Sequence, residues 1–177
     1  NLLDANKRAL LNLQPSSDGV IDDESIINGT INTGLMTKIL PGVRIEGPVY
    51  LGDGSVLGPN CYIRPYTSIG KNVKIGNGCE IKNSIIMDET KIPHLSYFGD
   101  SILGEKCNFG AGTITGNLRL DKKTVKMKID NKHIDSERKK LGIVVGDDVE
   151  TGINVNFMPG ITIGSNSNIG PGINISK

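Results

Sequence analysis

Aliphatic residues recur at every sixth position from Ile21 to Ile81, through Ile27, Ile39, Ile45, Leu51, Leu57, Ile63, Ile69 and Ile75, with Thr33 as the one exception. Four places after each stands a residue that is small or β-branched almost throughout: Ser25, Ile31, Thr37, Val43, Val49, Ser55, Cys61, Thr67, Val73, Cys79 and Ile85. A helix repeats at 3.6 and a plain strand at 2, so a strict six belongs to neither. It is the period of one flat side of a triangular coil, in which each hexad is a short strand with its aliphatic side chain aimed into a narrow prism. Glycine often follows the aliphatic residue (Gly52, Gly58, Gly70, Gly76), where a corner must bend without a Cβ. The pattern predicts an all-β chain, a parallel β-helix of hexapeptide repeats.

The phase slips by one residue after Ile81 and resumes at Ile86, Ile92 and Phe98, then slips again to Leu103 and Phe109. Thr90, Ser96, Ile102, Cys107 and Thr113 are expected in the small inward slot, as Ile85 is just before them. The repeat breaks at Thr115 and returns at Val145, Thr151, Phe157, Ile163, Ile169 and Ile175. The stretch 115–143 should therefore leave the prism as one long external loop, with a hairpin in VKMKIDNKHI. Ahead of the coil, LLDANKRALLNL reads as a short amphipathic helix closed by Pro15. The chain opens at Asn1 without a Met, so residues 1–18 are read as a linker helix from a missing N-terminal domain and 19–177 as the coil domain. A truncated or processed chain would look the same.

Composition fits a thin shaft. Aromatic residues make up 4% and Trp is absent, which suits an interior that admits Ile, Val, Ser and Thr but few rings. The three cysteines, Cys61, Cys79 and Cys107, all fall in the small inward slot. An odd count without paired spacing argues for buried thiols in a reducing cytoplasm, not for disulfides or nucleophiles. No apolar run approaches the ~20 residues of a membrane span, and neither membrane nor nucleic acid is an expected partner. Net charge is +1, but nine Lys/Arg against four Asp/Glu lie between Thr115 and Leu141, leaving the remainder acidic. Such a segment suits anionic small molecules, or is a solvated excursion and nothing more.

Three hexads make a turn, so residues about eighteen apart lie above one another. Arg64 and Lys82 are so spaced and hold the corner slot that glycine usually fills. Two stacked cations make best sense beside an anion, for which phosphate is the natural candidate; Glu46 and Glu80 could instead neutralise them as a surface ladder. His94 lies in HLSYFGD between the two slips, with Tyr97 and Asp100 nearby. A carboxylate could hold its imidazole in one tautomer and leave the other nitrogen as a base, in a cleft the slips would open. In NFGAGTITGN, small residues would let a ligand lie against backbone N–H groups. Metal ligation is set aside, because the chain has only His94 and His133 where zinc-binding coils of this kind need three converging histidines.

The run HLSYFGDSILGEKCNFGAGTITGN, with IRPYTSIG, GNGCEIKNS and VVGDDVETGINV, resembles the C-terminal acetyltransferase domain of the GlmU-type bifunctional sugar-1-phosphate nucleotidylyltransferase/acetyltransferases. The basic excursion is more similar to the archaeal versions than to the bacterial ones. The resemblance implies a left-handed β-helix, a homotrimer, and acetyl-CoA as co-substrate with no metal. The implied reaction is N-acetylation of glucosamine 1-phosphate in UDP-N-acetylglucosamine synthesis, with galactosamine 1-phosphate as a second acceptor. It further implies His94 as the base, and Arg64, Lys82, Tyr97, Asn108 and Lys123 as sugar-phosphate contacts, Lys126 competing with Lys123. Ala111, Asn117, Leu118, Ile153 and Pro171 match acetyl-CoA or nearby contacts. Leu118, Ile153 and Pro171 depart from the family's tyrosine, serine and alanine. Two alternatives stand beside this reading: a coil acyltransferase with another acceptor, and a non-catalytic coil that trimerises or regulates a nucleotidylyltransferase.

Overall fold

The computed structural model of the chain describes residues 1–129 and 132–176. Three parallel sheets of eight strands each wind into a left-handed β-helix, every strand pairing with those one turn before and after it. The first face carries Val49–Leu51 and Thr67–Ile69, the second Lys74–Asn77 and Lys91–His94, the third Glu80–Lys82 and Tyr97–Gly99. The sixfold aliphatic residues line the shaft: Ile39 through Ile81 are each no more than 1% exposed. Burying each such side chain contributes about 1.5–3 kcal/mol, rung by rung, without a central globule. All three cysteines are buried in the shaft.

Both slips fall where the third face turns into the first. Leu51 pairs with Ile69, eighteen residues on, but Ile69 pairs with Ile86, only seventeen on. Each shortened corner keeps two residues, and the second of the pair, Asn83 or Asp100, takes positive φ (46° and 53°), a conformation Asn and Asp tolerate. Shortening moves the inward slot up by one, which corrects the sequence expectation. Ser84 and Ser101 fill that slot, both fully buried, while Ile85 and Ile102 turn outward.

Those two isoleucines meet what the sequence left outside the shaft. Helix α1 (Leu2–Leu11), capped by the Asn1 side chain accepting from the Leu3 N–H at 3.0 Å, lies beside the first face. The excursion contains the expected hairpin, Lys126–Ile129 antiparallel to Lys132–Asp135; Asp130 and Asn131 lie outside the described residues. Leu3, Val125 and Leu141 are buried together against Ile85, Ile102 and Met127 as a second small core. Asn6 fastens the helix, donating to the Tyr66 carbonyl at 3.0 Å and accepting from the Ser68 hydroxyl at 2.6 Å. The excursion is thus a packed element over the first face. Outward residues of the second face, including Lys74, Lys91, Asn108 and Glu150, are exposed. Among the described residues, no helix is long and apolar enough to cross a membrane.

Candidate functional site

Chemistry gathers at two corners of the shaft. The first, the cation corner, is where the third face turns into the first. Arg64 stacks on Lys82, as the eighteen-residue spacing requires: the Arg64 N–H donates to the Ile81 carbonyl at 2.8 Å, and Ile63 pairs with Ile81. Each cation has a carboxylate. Arg64 Nη1 donates to Glu80 Oε1 at 2.9 Å, and Lys82 Nζ lies 3.4 Å from Asp100 Oδ2. The pairing with Glu80, and not with Glu46, holds the Arg64 guanidinium above its ordinary pKa. Even so, Arg64 Nε is buried with no hydrogen-bond partner among the described residues.

Asp100 organises this corner from beneath. It is 3% exposed and accepts from Asn83 Nδ2 at 2.7 Å and from Asn117 Nδ2 at 2.6 Å. Asn117 also donates to the Tyr97 hydroxyl at 3.2 Å. Gly99 makes that contact possible, since a Cβ there would overlap both the Tyr97 hydroxyl and the Asn117 amide. Burial, then the Asp100 and Glu80 carboxylates, push the Tyr97 hydroxyl above its ordinary pKa, so it keeps its proton to donate. Asp100 was expected beside His94; the structure turns it to the opposite end of the face. The slips likewise build the cation corner, one face away from His94. Asn83 and the role of Asp100 went unread, although their signal was present: they are the residues at which the repeat loses its phase.

The histidine corner lies where the second face turns into the third. His94 ends the strand Lys91–His94, and its exposed imidazole makes no hydrogen bond among the described residues. A ladder of backbone bonds continues below it: Gly112 N–H to the His94 carbonyl (3.4 Å), Asn154 to Ala111 (2.8 Å), Gly172 to Ile153 (2.9 Å). His94, Ala111, Ile153 and Pro171 therefore stand in one column along an edge of the prism. The Ala111 N–H makes no hydrogen bond among the described residues, which leaves a donor for a developing oxyanion. Asn108 faces outward on the second face, between Lys91 and Glu150 in the adjacent rungs.

The remaining candidates lie apart from both corners. Leu118 starts the excursion, bridged to Lys140, and lines an apolar concavity with Leu120 and Met158. Lys123 is exposed on the excursion, its N–H donating to Asp121 Oδ1 at 3.2 Å. The thiols face inward, and burial pushes Cys61 up to about 12 and raises Cys79 and Cys107. None is set up as a nucleophile.

The family model described as the GMPPB C-terminal domain matches residues 45–156. The bifunctional protein GlmU of Methanocaldococcus jannaschii is 48% identical over 169 residues, covering 85% of this chain and 41% of that protein. The bifunctional sugar-1-phosphate nucleotidylyltransferase/acetyltransferase of Sulfurisphaera tokodaii is 48% identical over 178 residues, covering 100% of this chain and 44% of that protein. The chain spans less than half the length of these curated relatives. A solved UDP-N-acetylglucosamine acyltransferase is similar at 12% identity and a TM-score of 0.42, over 92% of this chain and 70% of that one.

Proposed function

The chain belongs to the family of the GMPPB C-terminal domain and corresponds to the β-helix part of a GlmU-type enzyme, and from that premise we propose that it moves the acetyl group of acetyl-CoA onto the 2-amino group of glucosamine 1-phosphate in the cytoplasm. Galactosamine 1-phosphate is a second acceptor, because nothing at either corner distinguishes the epimers. The observation that carries this reading is the stacked pair Arg64 and Lys82, with Tyr97 and Asn117 beside it: a fork, a point charge and neutral hydrogen-bonding groups, the set that a sugar phosphate needs.

The acceptor amine is an ammonium near neutrality and cannot attack until it loses a proton. His94 takes that proton through an imidazole nitrogen. The freed lone pair forms the C–N bond to the thioester carbon, and the Ala111 N–H meets the resulting oxyanion. The attacking nitrogen still carries a surplus proton, which passes to water; collapse breaks the C–S bond, and the CoA thiolate leaves with the proton His94 returns. No acyl-enzyme is needed, and the buried thiols offer none. Ile153 has no hydroxyl and Pro171 no N–H, so the column below His94 meets acetyl-CoA through the Ala111 N–H and apolar surface.

His94 and the cation corner sit at opposite ends of the third face. From His94 to Gly99 is five residues, at most roughly 16 Å at ~3.3 Å per residue, since Leu95 turns a corner at positive φ and only Tyr97–Gly99 is strand. Asn108 lies on a different face again. We propose that the two halves close between copies, in a homotrimer in which the histidine corner of one copy meets the cation corner of the next. Helix α1 and the hairpin cover the first face, which leaves the second and third faces for that contact.

Thiol release from acetyl-CoA tests the reaction. Glucosamine 1-phosphate should turn over, and unphosphorylated glucosamine should lose about 10–100-fold in kcat/KM, the worth of one or two charge-assisted hydrogen bonds. His94→Ala should lower kcat by about 10²–10⁴. Full activity in that variant removes His94 as the base, and equal turnover of both acceptors removes the phosphate seat.

A further inference from the structure

We infer that Arg138, carried by the basic excursion, is a third cation of the phosphate seat and positions the sugar phosphate together with Arg64 and Lys82. The inference rests on the proposed acceptor and adds a residue that the repeat pattern has no means of assigning. A concavity of ≈ 330 Å³ opens at the cation corner, and three separate segments line it: Asp4 and Lys7 from α1, Arg64 and Lys82 from the coil, and Arg138. Lys7 lies over the Tyr66 ring, its Nζ 4.4 Å from the centroid, at the rim of the same space.

Arg138 is held in place from several sides. Its Nη1 pairs with the Asp4 carboxylate, its Nε donates to the Lys140 carbonyl at 3.2 Å, and its side chain is 18% exposed. Its Nη2 lies 3.8 Å from Asp100 Oδ1, while Lys82 Nζ approaches Oδ2 of the same carboxylate. Lys82 and Arg138 share the Asp100 carboxylate, and the half-exposed Asp4 is the other partner of Arg138. Arg64 adds a third positive charge and a buried donor without a partner among the described residues. With Lys7, four cations face the concavity against Asp4, Glu80 and Asp100, so positive charge is left over for an anion. A monoester phosphate matches it: several acceptor oxygens, met by two forked guanidinium groups and one ammonium.

The competing role for Arg138 is purely structural, tying α1 to the coil, and the test must separate the two. The readout is calorimetric binding of glucose 1-phosphate, which carries a hydroxyl where the acceptor has its amine and so cannot turn over. Arg138→Gln should weaken its affinity by about tenfold, with Arg138→Lys intermediate, because the ammonium keeps the charge and loses the fork. Asn6→Ala releases the clamp on α1 without touching Arg138 and should leave the affinity within about twofold. In turnover, Arg138→Gln should raise KM for glucosamine 1-phosphate and leave kcat and KM for acetyl-CoA unchanged. An unaltered affinity in Arg138→Gln overturns the inference, as does failure of the unmodified protein to bind glucose 1-phosphate. Equal losses in Arg138→Gln and Asn6→Ala overturn it too. If acetyl transfer fails with every amino sugar while Arg138→Gln still weakens binding, the proposed reaction falls and the phosphate seat stands.

Discussion

Asp100 shows what one residue's place in a coil can and cannot reveal. Its distance from His94 along the chain is six residues, one hexad, and in a triangular coil one hexad is one whole face. Proximity in sequence therefore set the carboxylate at the opposite corner, where it gathers Lys82, Asn83, Asn117 and Arg138. Arg64 over Lys82 was legible because eighteen residues is one turn, and stacking follows from the repeat alone. Arg138 was not legible, since no period relates the excursion to the coil. The cysteines were legible for the same reason as Arg64, and they carry a prediction about pH. Burial raises all three thiols, Cys61 to about 12, so the folded chain holds protons that the unfolded chain gives up. Their stabilisation is fully present below the unfolded thiol pKa, ~8.5, and is lost as pH climbs through that value toward the folded one. The urea midpoint should fall progressively above about pH 8.5, and iodoacetamide at pH 8 should modify all three thiols only after denaturation. Alkylation of Cys61 in the native protein would contradict its burial.

At the scale of elements, the hexads named the shaft correctly and the slips marked the places that matter, but the consequence of a slip was misread. Losing one corner residue moves every following inward slot up by one until the phase recovers. The small Ser84 and Ser101 go inward, and the larger Ile85 and Ile102 become an external apolar strip. Composition favoured the isoleucines for the interior; geometry assigned them to α1 and the hairpin. The hairpin itself was visible in the alternation of VKMKIDNKHI, whereas its docking was hidden, because Leu3, Val125 and Leu141 come from three distant parts of the chain. Leu141→Ala should therefore cost about 2–4 kcal/mol locally. Hydrogen exchange is the measurement that checks it: amides of α1 and the hairpin should lose protection while those of the shaft keep it. Loss of protection along the shaft as well would mean that the external core and the coil form one cooperative unit.

On the scale of the whole molecule, the β-helix separates the histidine corner from the cation corner by the width of a face. The column from His94 to Pro171 suits a long, thin donor lying along an edge. The cation corner suits a compact anion, and the sequence could place both because each is a column of the repeat. The hexad also places the two columns a face apart, whereas the docking of Arg138 beside the cation column follows from no period. In the proposed homotrimer the two halves meet between copies. The most direct measurement mixes two inactive variants, His94→Ala and Arg64→Ala with Lys82→Ala, after dissociation and reassembly. Random reassembly leaves about a quarter of the contacts with both corners intact, so the mixture should recover roughly that share of the original acetyl-transfer rate. A mixture as inactive as its parents would place base and phosphate seat on the same copy and contradict the account.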